Sequence, residues 1–62
     1  MIITLTHPGG TKVEINTDQI SEVYENDGVM ITKAAKSVVI MTNGHTHGVL
    51  ETIDQIDKMR KE

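Results

Sequence analysis

Cysteine, tryptophan and phenylalanine are absent from this chain, and Tyr24 is its single aromatic residue. Without cysteine there are no disulfides, no thiolate metal sites and no thiol nucleophile. With almost no aromatic packing, a core has to come from isoleucine, valine, leucine and methionine. No apolar run approaches the ~20 residues of a membrane-spanning helix. The opening Met1-Ile-Ile-Thr-Leu-Thr6 is short and lacks the basic start of a secretion signal. Positive charge is scarce as well: six Lys and Arg against nine Asp and Glu give a net charge of −3. Contact with a phosphate backbone needs a basic face, so nucleic acid is not an expected partner. The expected location is the cytoplasm, or a larger particle assembled from it.

What the chain does have is turn chemistry and alternation. Its 62 residues make a single domain, 1–62. A chain of this length buries only about 60% of the surface its unfolded form exposes. Small folds compensate with disulfides, metal, dense packing or oligomerisation; with cysteine missing, a homo-oligomer is the expected solution. The fold class read from the pattern is α+β, a small twisted antiparallel sheet of about five strands with one C-terminal helix.

Ile2–Thr6 and Lys12–Asn16 alternate around His7-Pro8-Gly9-Gly10 and predict a first hairpin, with Ile3, Leu5, Val13 and Ile15 inward. Asn16 and Gln19 predict a capped helical turn, with the Gln19 side chain bonding back to the cap. Ile20 and Val23 then point inward as the chain extends again. Asn26-Asp27-Gly28 predicts a tight turn that pairs Val23–Glu25 with a strand over Val29–Thr32, and Lys33–Lys36 is a connection.

Ser37–Thr42, Asn43-Gly44 and His45–Leu50 predict a hairpin with a two-residue type I′ turn, because Asn-Gly accommodates two positive φ angles. That register sets Thr42 opposite His45, Ile40 opposite His47 and Val38 opposite Val49. The other face then carries Val39, Met41 and Leu50. A strand apolar on both sides calls for cover on both, and a neighbouring subunit is the expected second cover, with Val39, Met41 and Leu50 as the interface. Thr52 and Gln55 form a capping box for a helix over 52–61, with Ile53, Ile56 and Met59 inward and Lys58, Arg60 and Lys61 complementing its C-terminal dipole. The two halves resemble each other as hairpin, polar cap and helical turn or helix, which would make two β-β-α units sharing one sheet.

Candidate chemistry is sparse. His45 and His47, two apart on a strand, emerge on one face roughly 6–7 Å apart, and such a pair can grip an anion or half of a metal site. Zinc takes three or four protein ligands, so a metal would need pairs from two subunits; no metal and no cofactor are expected. Gly9 and Gly10 offer backbone amides to an anion but lack the Lys-Ser/Thr ending and strand-to-helix setting of a phosphate loop. No calcium-loop spacing and no serine–base–acid set is present. The expectation is a protein that is not an enzyme.

Met1-Ile-Ile-Thr-Leu-Thr6, Val13-Glu-Ile-Asn16, Ile20, Val23-Tyr-Glu25, Val39-Ile-Met-Thr-Asn-Gly44 and Val49-Leu-Glu-Thr52 together resemble the small FlbD/SwrD-type flagellar and swarming-motility proteins, a family with relatives in bacteriophage genomes. The likeness spans most of the chain. It implies a non-enzymatic interaction or assembly module, flagellar or phage-borne, the latter as a virion component or accessory protein. The alternative is a protein that sequesters a nucleotide or anion at subunit boundaries, as a phage anti-defence protein would, through His45, His47, Gly9 and Gly10. In either case the expected partners are further copies of the chain and a protein of unstated identity.

Overall fold

The structure, a computed structural model, describes residues 1–26 and 34–61. It contains five antiparallel strands in two sheets and a C-terminal helix: β1 (Ile2–Thr6), β2 (Lys12–Asn16), a 3-10 turn (Thr17–Gln19), β3 (Ile20–Glu25), β4 (Ser37–Met41), β5 (Thr46–Val49) and α1 (Ile53–Lys61). One sheet is β1-β2 and the other is β3-β4-β5. This is the α+β class that the pattern implies, with the single expected sheet divided in two. The expected turn from Asp27 onward and the strand at Val29–Thr32 lie outside the described residues. Within them, β3 pairs with β4: Val23 is opposite Val39, Tyr24 opposite Val38 and Glu25 opposite Ser37.

The first hairpin forms as expected, and its register sets Ile3 opposite Ile15 and Leu5 opposite Val13. Its loop closes through the His7 amide donating to Thr11 O at 2.8 Å and the Gly10 amide donating to His7 O at 2.8 Å. Gly10 has φ +94° with open space where a side chain would start, so backbone conformation is what calls for glycine there. After β2, the Asn16 side chain caps the helical turn by accepting from the Asp18 amide at 3.0 Å. Gln19 does not return a bond to that cap. Its side-chain oxygen accepts from Thr42 Oγ1 at 2.9 Å, and its carbonyl accepts from the Thr42 amide at 2.7 Å.

That engagement of Thr42 bears on the second hairpin, where the structure corrects the sequence reading. The Gly44 amide donates to Met41 O at 2.9 Å and the Met41 amide to His45 O at 2.8 Å. Gly44 has φ +90°, while Asn43 stays at negative φ. The loop is therefore three residues, Thr42-Asn43-Gly44, with one left-handed position at its end instead of the two a type I′ turn requires. The Asn43 side chain accepts the His45 amide at 2.9 Å. Opposite partners become Val39 with His47, Val38 with Gly48 and Ile40 with Thr46. A slip of one residue exchanges the faces. Val39, Met41, His47 and Val49 share a face, and Val38 and Ile40 lie on the other.

The core joins both sheets and the helix: Ile3, Leu5, Ile15, Val39, Val49 and Ile56 form one buried cluster, with Val13, Ile20, Val23, Met41 and Met59 packed against it. Val38 and Val39 are both 0% exposed. A single chain thus buries both sides of the middle of β4, and the neighbour invoked to cover the second side is not needed for it. The capping box holds as expected: the Thr52 amide donates to Gln55 Oε1 at 2.8 Å and the Gln55 amide to Thr52 Oγ1 at 3.2 Å.

Candidate functional site: a histidine seam between the sheets

The chemistry-bearing residues collect where the end of β1 meets the segment after β5. The Leu50 amide donates to Thr6 O at 2.8 Å, continuing the β1 edge beyond its own sheet. Glu51 follows, and its carboxylate accepts from both the Thr6 amide at 2.9 Å and Thr6 Oγ1 at 3.0 Å. Lys12 Nζ donates to the same Thr6 hydroxyl at 3.1 Å. Behind this, the wholly buried Ser37 hydroxyl donates to Glu51 O at 2.8 Å. Glu51 is thus held at its carboxylate and at its carbonyl, and its side chain staples β1.

Beside the staple, His7 and His47 meet. His7 Nε2 lies 3.4 Å from His47 Nδ1, the ring centroids are 5.6 Å apart and the planes are inclined by 13°. The nitrogen separation plus two ring radii nearly equals the centroid separation. The two nitrogens therefore lie close to the line between the rings, and the imidazoles meet edge to edge and near-coplanar instead of face over face. Both rings are half-buried. His47 has its pKa lowered below 6.5, first by burial and then by the nearby His7 and His45. At neutral pH His47 is held in its neutral form, with a lone pair on one nitrogen.

Of the four residues expected to bind a ligand, His47 alone enters this pair. His45 is exposed and lies before β5, near enough to His47 to disfavour its charge. Gly9 and Gly10 are exposed, and the Gly10 amide is already spent on His7 O. Of the three expected interface residues, Val39 lies in the core, Met41 packs against it and Leu50 is 38% exposed. The one-residue shift of the hairpin explains the inward placement of Val39 and Met41. His7 is the residue of this pair that the sequence reading left unplaced. One signal could have placed it: Ile3, Leu5 and His7 alternate, so His7 continues the inward side of β1.

Two open grooves flank the helix. One of about 360 Å³ is lined by Glu25, Lys36, Ser37, Thr52, Ile53 and Asp54, and one of about 380 Å³ by Glu51, Gln55, Lys58 and Met59. Neither takes in a histidine. Among the described residues, no group of three or more His, Asp or Glu could hold a metal ion, and no helix is long and apolar enough to cross a membrane. Comparison of the chain with protein-family models, curated proteins and solved structures finds no match.

Proposed function

We propose that the protein is a non-enzymatic interaction and assembly module of bacterial or phage origin, akin to the FlbD/SwrD-type proteins, that works as a homo-oligomer in the cytoplasm or in a virion. The observation that carries this reading is apolar surface beside an open strand edge. Met1 and Ile2 are 47% and 56% exposed at the start of β1, and Ile2 lies opposite Asn16 of β2. Among the described residues, β2 is bonded to β1 alone in a two-stranded sheet. A free edge with apolar neighbours favours strand addition from a second chain, and a chain this small gains most from sharing surface. Val39 and Met41 drop out as interface residues; Ile2 and Leu50 take their place. Light scattering at micromolar concentration tests the reading. A dimer or larger species is expected, with Ile2→Lys shifting it toward monomer, and a wild-type monomer at those concentrations refutes it.

The second reading, sequestration of a nucleotide or anion at a subunit boundary, is favoured by the half-buried imidazoles of His7 and His47. Its test is a thermal-shift screen with nucleotides. A ligand that binds only the folded state stabilises by about 2.7 kcal/mol at 100 times its dissociation constant, and a flat screen retires the idea.

A further inference from the structure

The His7–His47 pair has a geometry that neither reading uses. A neutral N–H···N hydrogen bond is best at about 2.7–3.2 Å between heavy atoms; these nitrogens stand 3.4 Å apart, too far for a good one. They nevertheless face each other almost along the line joining the ring centres, in nearly parallel planes. When each proton sits on the outer nitrogen, His7 Nδ1 and His47 Nε2, the two inner lone pairs are aimed at one point from opposite sides. Two donors at 180° are the wrong start for tetrahedral zinc, which also needs further ligands. Among the described residues no set of three or more is available to supply them. Opposed donors suit a cation that accepts two ligands in a line, which is the preference of the monovalent d¹⁰ ions. We propose that His7 Nε2 and His47 Nδ1 form a linear, two-coordinate site for Cu(I) or Ag(I).

The placement of both ligands supports pre-organisation. His47 is fixed by its position in β5 opposite Val39. His7 is fixed by the two backbone bonds that close its loop. A cation at the midpoint would sit half of 3.4 Å from each nitrogen, short of a metal–imidazole bond of about 2 Å. Loading therefore separates the nitrogens by on the order of half an ångström. Binding forms two N–metal bonds to neutral rings and changes no oxidation state. From the neutral protein no proton has to leave, because each imidazole keeps its N–H on the outer nitrogen.

The test is titration of the full chain with Ag(I), and with Cu(I) under anaerobic reducing conditions, followed by calorimetry and by ¹⁵N shifts of the histidine side chains. One ion per chain is expected, moving the resonances of His7 Nε2 and His47 Nδ1. H7Q and H47Q should each weaken binding at least tenfold, while H45Q leaves it unchanged. H7Q changes only a loop side chain, so it carries the test even where H47Q folds poorly. Undiminished affinity in H7Q, loss of binding in H45Q, or an ion held only by the methionine thioethers would each overturn the assignment. The oligomer reading is tested separately by light scattering on metal-free protein, so failure of one leaves the other standing.

Discussion

Glu51 shows how much one side chain can do in a small fold. Its carboxylate satisfies the amide and the hydroxyl of Thr6 in a partly buried position. Hydrogen bonds to charged groups are worth more than neutral ones, and a stranded donor adds its desolvation cost. Glu51→Ala should therefore lower stability by about 1.5–3 kcal/mol in urea unfolding. Glu51→Gln keeps one acceptor and should lose less; a cost for the alanine variant indistinguishable from zero would show that water replaces the staple. The neighbouring His47 sets a pH dependence. Its pKa in the folded chain lies below 6.5, by burial first and by His7 and His45 next, so the unfolded chain binds the proton more readily. The charged groups next to this seam are Glu51 and Lys12, both bonded to Thr6. The associated stability is fully present above pH 6.5 and is lost as pH falls from there through the lowered pKa. In chelator-treated protein the urea midpoint should fall between about pH 7 and about pH 5, and His47→Gln should flatten that fall. An unchanged slope in the variant would assign the pH dependence to other groups.

Elements were legible in proportion to how local their causes are. The first hairpin, the capped turn after Asn16 and the Thr52–Gln55 capping box all depend on residues a few positions apart, and all three form, with only the return bond of Gln19 missing from the capped turn. The β4–β5 hairpin was legible as a hairpin but not in its register. Asn-Gly permits two loop lengths, and what separates them is the hold of Gln19 on Thr42 across 23 positions. From that single shift comes the inward turn of Val39 and Met41. The site shares the same limit: His45 and His47 are paired by local spacing, but the contact that forms joins His47 to His7, 40 positions away. The staple between Thr6 and Glu51 spans 45 positions and has no local signature at all. The three-residue loop carries its own test. Gly44 has φ +90° with nothing within 4 Å of the place a β-carbon would take, so the penalty of Gly44→Ala is one of backbone conformation alone. It should cost about 1–2 kcal/mol. Asn43 is at negative φ, so Asn43→Ala is spared that penalty and loses only the side-chain bond to the His45 amide, about 0.5–1.5 kcal/mol. A larger loss for Asn43→Ala than for Gly44→Ala would favour the two-residue turn.

At the scale of the whole molecule, two sheets and a helix share one core and cannot be separated cheaply. Ile3, Leu5 and Ile15 come from the first sheet, Val39 and Val49 from the second, and Ile56 from α1. The seam adds the Leu50–Thr6 backbone bond at 2.8 Å. Among the described residues both sheets bury apolar side chains in this one cluster, so both should unfold in one transition. Tyr24, the single aromatic residue, sits in β3 and reports on the second sheet by fluorescence, while far-UV circular dichroism reports on all elements together. The two urea curves should coincide. Leu5, wholly buried on β1, extends the test across the seam. Leu5→Ala should cost about 2–5 kcal/mol, against a total of roughly 3–9 kcal/mol for a chain of this length. The variant should therefore shift the Tyr24 signal as far as the dichroism, although Tyr24 and Leu5 lie in different sheets. A Tyr24 transition that stays in place while the dichroism moves would mean that the second sheet and helix fold without the first hairpin, and that the histidine seam joins two independent units.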